Sequence, residues 1–319
     1  MVINLNKKVV IFGGGTGLST LLRGLKKFPL DISAVVSVCD DGKSTGRLRE
    51  EFKTPAVGDI RRVLVSLSET EPLVEKLLNY RFNTTSDLNG HTVGNLLLTA
   101  AANISGNMSN GIEAIGKVLN LKGRVIPLTE EDNVTLIGKM EDGTIVEGEH
   151  RITEYTKGIV DVFYKEKPVV TPEAIDAIRN ADLIILSMGS VFTSIIPNLI
   201  CEEIKYELEK SSAKIMYVCN MMTQPGETDN FSASHHIKLL NKYLGTRKID
   251  VVVVNNGKIS DELKIKYETL EQKDPVVFDK ENIRNMNIDI IEGDFVIIED
   301  EMIRHNVIKL ASHIFSYLI

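Results

Sequence analysis

The sequence predicts an α/β fold, in which a mostly parallel β-sheet has helices on both faces and carries an inserted β-hairpin. Apolar, β-branched segments alternate with helical periodicity over residues 1–70, and the same alternation returns after residue 159. Between these two parts, Asp142 and Gly143 join two strand-like segments, which is typical of a hairpin turn. Because 319 residues can bury a core without disulfide or metal support, we expect a single domain over residues 1–319.

The first elements surround a glycine-rich turn. Residues 8–12 predict a buried strand, and apolar side chains then recur at helical spacing from Leu18 to Leu25. The elements predicted next are a strand over 32–38, a polar turn over 40–46, helices beginning at Gly58 and Pro72, and a helical region over about 72–121 with Thr92 as an N-cap.

The residue pattern becomes strand-like after residue 121. Strands are predicted over 124–128, 134–140 and 144–149, and we assign about 124–150 to the inserted β-hairpin. The later elements are strands over 183–186, 215–218 and 249–254, and helices beginning at about Ser194, Ser232 and Arg304.

The composition excludes several classes of protein. The chain has 37 Lys and Arg against 44 Asp and Glu, and the resulting net charge of −7 argues against extensive electrostatic binding of nucleic acid phosphates. The longest apolar segments are strand-sized, well below the ~18 residues that cross a bilayer, and no apolar leader follows the first lysines. The cysteines Cys39, Cys201 and Cys219 have no CxxC spacing. We therefore expect a cytoplasmic protein without a membrane span or a thiolate metal site.

Four glycines lie between the first strand and the first helix, at Gly13, Gly14, Gly15 and Gly17. Glycine allows backbone amides to approach a ligand, and a helix N-terminus attracts phosphate. The spacing differs from the dinucleotide-binding fingerprint, because Leu18 stands where the third glycine belongs. The segment therefore indicates a nucleotide site, and the alternative is a tight turn without a ligand.

A charged segment follows the second predicted strand. Its carboxylates Asp40 and Asp41, together with Asp59 at the next helix start, suit Mg²⁺ held near a phosphate. The alternative is a solvated turn with an N-capping aspartate. A Walker A loop is excluded, because Ser37 stands where that motif requires glycine. Cations gather near these acids, which favours an anionic ligand: Lys43, Arg47, Arg49, Arg61 and Arg62.

Three further polar segments are candidates for ligand contacts. His91 with Asn95 is a candidate for a functional role, and the alternative is a histidine that caps or packs a helix. The small polar residues at 187–194 suit a second phosphate. The amides and hydroxyls at 219–228 suit a nucleoside or a sugar, although a structural turn would also explain Pro225. The sequence contains no HExxH, which disfavours zinc peptidases.

Together these segments resemble the YvcK branch of the CofD-like family, the gluconeogenesis factors. The matching segments are 13–19, 40–49, 58–61, 91–96, 190–199 and 220–234, and the resemblance extends from about residue 8 to the end of the sequence. It implies a Rossmann-like sheet in a bacterial cytoplasmic protein that binds UDP-sugars such as UDP-N-acetylglucosamine. It further implies a link from carbon metabolism to cell-wall synthesis and cell shape during gluconeogenic growth, with regulatory protein partners and a homodimer.

The resemblance also implies roles for individual residues. Asp40 or Asp41 with Asp59 would match the metal-binding acids of the CofD transferases, which move a phospholactyl group to a deazaflavin with Mg²⁺. Lys43 departs from the family pattern, which has glycine there, and Ser187-Met188 replaces Gly-Pro. The residues expected to contact nucleotide or sugar are Gly13, Gly14, Gly15, Thr16, Gly17, Leu18, Ser19, Lys43, Ser44, Thr45, Arg47, Asn95, Gly189, Ser190, Thr193, Ser194, Asn220, Thr223, Gln224, Tyr267 and Arg304.

Two of these residues have specific expected roles. Tyr267 would stack on the base and Arg304 would neutralise a phosphate. The alternatives are an aromatic on a helix surface and a solvated residue at a helix start. Three functions follow as hypotheses: a UDP-sugar sensor without catalysis, a Mg²⁺-dependent transferase, and an NAD-dependent dehydrogenase, which the missing fingerprint glycine disfavours.

Overall fold

The computed structural model describes residues 6–299 and 301–319; residues 1–5, at the start of the segment considered above for a leader, lie outside this part. The strands are β1 (Lys7–Gly13), β2 (Leu30–Val36), β3 (Arg124–Pro127), β4 (Leu136–Met140), β5 (Ile145–Glu147), β6 (Ile159–Tyr164), β7 (Leu183–Leu186), β8 (Lys214–Val218), β9 (Val251–Asn255), β10 (Asp289–Gly293), β11 (Val296–Glu299) and β12 (Met302–His305).

The helices are α1 (Gly15–Leu25), α2 (Lys43–Phe52), α3 (Gly58–Leu67), α4 (Pro72–Asn79), α5 (Val93–Ser105), α6 (Met108–Val118), α7 (Glu149–Glu154), α8 (Pro172–Arg179), α9 (Ile196–Leu199), α10 (Glu202–Lys210), α11 (Ala233–Tyr243), α12 (Asp261–Glu271), α13 (Lys280–Arg284) and α14 (Val307–Leu318). A π-helical turn, Val191–Ile195, leads directly into α9. None of the described helices is long and apolar enough to cross a membrane.

The main sheet confirms the predicted α/β, Rossmann-like fold. In the described residues it has seven strands in the order β10-β9-β8-β7-β1-β2-β3, and every neighbouring pair is parallel. The central strands β1 and β7 are almost continuously apolar and buried, as expected where helices cover both faces of a sheet. The strand order reverses between β1 and β7, and open α/β sheets bind ligands at the carboxyl ends of the strands beside such a point.

The first strand of the predicted insertion pairs differently from the prediction. β4 and β5 form the expected antiparallel hairpin, but β6 pairs with β4 as a third strand. β3 lies outside this small sheet and pairs in parallel with β2 at the edge of the main sheet. The assignment of 124–150 to the hairpin was therefore wrong at its beginning, because a short apolar run does not specify which strand it will pair with.

Other element boundaries were partly correct. Thr92 caps α5 as predicted, and its hydroxyl accepts a hydrogen bond from the Asn95 N–H at 3.3 Å. The predicted helical region 72–121 divides into α4, α5 and α6, with Gly106 at φ +89° ending α5. The polar turn predicted over 40–46 ends earlier, since α2 begins at Lys43. The last helix begins at Val307, so Arg304 lies on β12 instead of at a helix start.

Candidate functional site

A cleft of about 810 Å³ opens beside the N-terminus of α1, at the point where the strand order reverses. One wall comprises the first turn of α1 and the loops after β7 and β8, and the other comprises α12 and the β11–β12 hairpin. The predicted residues that line it are Thr16, Gly17, Ser19, Gly189, Asn220, Thr223, Gln224, Tyr267 and Arg304. A cavity of about 850 Å³ between β6, α8 and α10 contains none of the predicted site residues.

Packing explains two of the glycines in the β1–α1 turn. A Cβ on Gly13 would overlap Ser187 Oγ, and a Cβ on Gly17 would overlap the Met188 carbonyl group. Gly15 adopts φ +57°, a conformation that favours glycine. Gly13, Gly14 and Gly15 are buried, whereas Thr16 is exposed. The glycines therefore bring α1 and the loop after β7 into contact, and only Thr16 and Gly17 of this turn face the cleft.

The first turn of α1 presents free hydrogen-bond donors. The backbone N–H groups of Thr16 and Gly17 have no acceptor within residues 6–299 and 301–319, and the turn contains no acidic residue. The Gly15 N–H is already bonded to the Asp59 carboxylate. A helix N-terminus with unpaired N–H groups attracts anions. Within the described residues, the free donors of this turn are thus the N–H groups of Thr16 and Gly17, both of which belong to the predicted site.

Two predicted residues of α1 offer little to a ligand through their side chains. The Leu18 side chain is fully buried in the core. Ser19 is also buried, and its hydroxyl donates to the Gly15 carbonyl at 2.9 Å. The Leu18 side chain belongs to the apolar face that packs α1 onto the sheet, so a ligand contact from Leu18 stays a prediction for its backbone alone.

Cations outnumber acids around the cleft, although the whole chain is acidic. In the described residues, Arg23, Arg62, Lys273 and Arg304 line it, against Glu271 and Glu299. Arg62 Nη1 lies 2.8 Å from Asp59 Oδ1, and Arg304 Nε lies 3.8 Å from Glu299 Oε2. Both partners of the Arg304–Glu299 pair are exposed, and exposed ion pairs are weak, so a ligand anion can replace Glu299 as the partner of Arg304. Arg62 is exposed to the cleft, but its partner Asp59 is only 14% exposed, so this pair is not an exposed one.

The loops after β7 and β8 hold each other through Asn220. Its Oδ1 accepts from the Gly189 N–H at 2.8 Å, and its Nδ2 donates to the Gly189 carbonyl at 2.7 Å. Thr223 is likewise bonded to Asp274, whose N–H donates to Thr223 Oγ1 at 2.9 Å. These two side chains shape the cleft wall, and their polar groups already have protein partners. Gln224 differs, because its buried Oε1 has no hydrogen-bond partner in the part of the chain that the structure describes.

Ser190, Thr193 and Ser194 belong to the turn before α9 and do not line the cleft. Ser190 Oγ donates to Glu227 Oε2 at 2.7 Å and accepts from the Thr193 N–H at 3.0 Å. Burial raises the pKa of Glu227 to about 7. Sequence reasoning passed over Glu227, which anchors the loop after β8 to this turn; its position directly after Pro225-Gly226 was the available signal.

The acids form a separate group behind the β1–α1 turn. Burial and then the charge of Asp40 raise the pKa of Asp59 to about 6, and the same two causes raise the pKa of Glu149 to about 7. Asp40 accepts hydrogen bonds of 2.9 Å from Thr45 Oγ1 and from the Gly42 N–H. Glu149 was not predicted, since it comes from the distant insertion.

Asp41 lies beside Glu149, and its Oδ1 accepts from the His150 N–H at 2.8 Å at the start of α7. Among the residues that the structure describes, no three His, Cys, Asp or Glu side chains are arranged to hold a metal. Each predicted acid already has protein partners, so Asp40 and Asp59 would have to exchange them to bind Mg²⁺. Magnesium therefore stays a prediction.

The remaining predicted residues join helices away from the cleft. Ser44 Oγ lies 3.1 Å from His91 Nδ1 and accepts from Asn95 Nδ2 at 3.1 Å, and burial lowers the pKa of His91. Lys43 and Arg47 are exposed on α2, and the Arg47 guanidinium donates to the Asn89 carbonyl. This buried network connects α2 with α5, and none of these residues lines the cleft.

Tyr267 and Arg304 stand on the wall opposite α1. The Tyr267 hydroxyl accepts from the Ile303 N–H at 2.9 Å, and the residue is only 8% exposed. Tyr267 therefore fastens α12 to β12, and the alternative of a surface aromatic was wrong. Arg304 lies on β12, paired with Ile297 of β11, and reaches the cleft from this strand.

The fold and the cleft define a class of protein, namely a doubly wound α/β protein with a ligand cleft where its strand order reverses. The family model described as 2-phospho-L-lactate transferase CofD matches residues 9–296, so the chain belongs to the CofD family. This confirms the resemblance seen in the sequence.

Within that family, the chain is similar to proteins named gluconeogenesis factor. It is 49% identical over 306 residues to the one of Bacillus subtilis strain 168, covering 96% of both chains. It is 44% identical to that of Halalkalibacterium halodurans over 309 residues, covering 97% of this chain and 95% of the relative. A crystal structure of a Bacillus halodurans protein matches with a TM-score of 0.92 and 44% identity, over 97% of this chain and 99% of that one.

Proposed function

We propose that the cleft beside α1 binds a nucleotide diphosphate sugar of the UDP-N-acetylglucosamine type. The proposal rests on one observation, namely that a single cleft is lined by two kinds of donor. These are the N–H groups of Thr16 and Gly17, which are unpaired within the described residues, and the exposed guanidinium groups of Arg62 and Arg304. Donors of this kind bind phosphate oxygens, and Arg does so in bidentate geometry. The methionines and isoleucines along the same cleft provide apolar surface for a base or a sugar ring.

The protein then acts as a regulator that reports the level of this ligand. The names of its relatives support a role in gluconeogenic growth, and the resemblance extends this to cell-wall synthesis and cell shape. A cytoplasmic location, a homodimer and regulatory protein partners belong to the same proposal. A binding role also agrees with the position of the Ser44–His91 pair, which is buried away from the cleft.

Titration calorimetry with UDP-N-acetylglucosamine tests this function. We expect saturable binding, and Arg304→Gln should weaken it about tenfold to a hundredfold, which corresponds to one lost charged hydrogen bond of about 1.5–3 kcal/mol. Arg284→Gln is the matched control, because Arg284 is exposed on α13 and pairs with Glu281 outside the cleft. No saturable heat at millimolar ligand would contradict the proposal, as would an equal loss in both variants.

A Mg²⁺-dependent transferase acting on a nucleotide-diphosphate-linked substrate is the second candidate. It is favoured by the family model and by the closeness of Asp40 to Asp59, whose pKa is raised by burial and then by the charge of Asp40, since neighbouring carboxylates are natural cation ligands. Calorimetry with MgCl₂ should then show binding that Asp59→Asn abolishes. Asp161→Asn, at an exposed position on β6, is the control. Unchanged Mg²⁺ binding in Asp59→Asn would mean that the acids are structural.

A further inference from the structure

His305 occupies an unusual position in the cleft wall. It is the last residue of β12, directly opposite Val296 on β11, and it follows Arg304 along the strand. Its Nδ1 atom is buried and has no hydrogen-bond partner in the described part of the chain. Its Nε2 atom is not fully buried and makes no hydrogen bond to residues 6–299 or 301–319. The Nδ1 atom is therefore closed off, and Nε2 is the nitrogen left for a ligand in the cleft that His305 lines.

The imidazole of His305 is neutral at physiological pH. Burial is the cause that lowers its pKa to about 4. A neutral imidazole carries one donor and one acceptor nitrogen. Since a buried N–H without a partner is rarer than a buried acceptor without one, the proton belongs on Nε2. His305 thus presents an uncharged N–H donor beside the charged guanidinium of Arg304.

A second unpartnered group lies on the facing wall. The Oε1 atom of Gln224, in the loop after β8, is also buried without a partner, and Gln224 lines the same cleft. Leaving a buried polar atom unpaired costs about 1–3 kcal/mol, so such atoms call for an explanation. His305 and Gln224 thus place two uncharged polar side chains, whose hydrogen-bonding capacity is not used up within the described residues, on opposite walls of one cleft.

We propose that His305 is a specificity-determining residue of the cleft, whose Nε2–H donates a hydrogen bond to an uncharged oxygen, a hydroxyl or a carbonyl, of the ligand's sugar or base. This inference rests on the proposed function, because it assigns a contact to the same ligand. The phosphates are left to the α1 N-terminus and the arginines, which carry the charge. A site built to donate a hydrogen bond discriminates against analogues that lack the acceptor.

Competition binding with UDP-N-acetylglucosamine and inorganic pyrophosphate tests the assignment. His305→Leu removes the donor and should weaken UDP-N-acetylglucosamine about threefold to tenfold, while pyrophosphate affinity stays unchanged. His305→Gln keeps an N–H donor and should retain most of the affinity for the sugar nucleotide. Because His305→Leu also removes an unpaired buried nitrogen, it should melt no lower than the wild type.

The outcomes separate the two claims. If the wild type fails to bind UDP-N-acetylglucosamine, the proposed function fails and the role of His305 fails with it. If the wild type binds and His305→Leu loses affinity equally for both probes, or for neither, only the specificity role is overturned. A stable His305→Leu protein that loses the sugar nucleotide selectively supports the assignment.

Discussion

The substitution Gly17→Ala tests whether the glycine-rich turn is a packing device as well as a ligand site. A Cβ at this position would lie 2.5 Å from the carbonyl carbon of Met188 and 2.9 Å from the Gly189 Cα. Since ordinary contacts begin at 3.4 Å and the Met188 carbonyl oxygen lies closer still, α1 and the loop after β7 must separate by more than 1 Å. Overpacking of this kind costs about 1–3 kcal/mol, and the better helix propensity of alanine returns at most about 1 kcal/mol.

We therefore expect the free energy of unfolding to fall by about 2 kcal/mol in Gly17→Ala. Urea denaturation followed by circular dichroism measures this change, with the slope against urea unaltered. Thr16→Ala is the control, because Thr16 is exposed and should change stability by less than about 0.5 kcal/mol. Equal stability of the two variants would refute the packing argument, since backbone atoms cannot rotate out of the way.

Two further predictions concern residues that sequence reasoning did not assign to structural roles. Because burial raises the pKa of Glu227 from 4.5 to about 7, the folded protein holds a proton that the unfolded chain releases, and stability falls as pH rises through this window. Glu227→Gln removes this pH dependence. Urea denaturation at pH 5 and at pH 8 should therefore show that the free energy of unfolding of the variant, relative to the wild type, is about 3 kcal/mol higher at pH 8 than at pH 5. The same pH dependence in both proteins would contradict the assignment. Tyr267→Phe leaves the Ile303 N–H without its acceptor, and hydrogen exchange at Ile303 should accelerate about tenfold, whereas an unchanged rate would show that β12 does not depend on this bond.

The periodicity of the sequence predicted the centre of the fold well. Buried apolar strands such as β1 and β7 have few alternatives to a parallel sheet with helices on both faces. The pairing of β3 and β6 was missed, because short strands carry no local information on their partners. Only the tertiary structure decides that β3 extends the main sheet and that β6 extends the hairpin.

The candidate site was likewise predictable from the sequence only in part. Segments that follow central strands, at Gly17, Gly189 and Gln224, were brought together as predicted because the carboxyl ends of parallel strands share one edge. Which donors remain free was not predictable, since Asp59 takes the Gly15 N–H and Asn220 binds Gly189 through contacts distant in sequence. The sequence could not show that buried atoms of His305 and Gln224 lack hydrogen-bond partners among the described residues, because this depends on every neighbouring side chain in the folded structure.

A crystal structure of the chain with UDP-N-acetylglucosamine tests the central claim most directly. We expect the diphosphate against the N–H groups of Thr16 and Gly17, with Arg304 turned from Glu299 toward the phosphates. Ligand bound elsewhere, or a diphosphate that touches neither the first turn of α1 nor the β11–β12 hairpin, would contradict it.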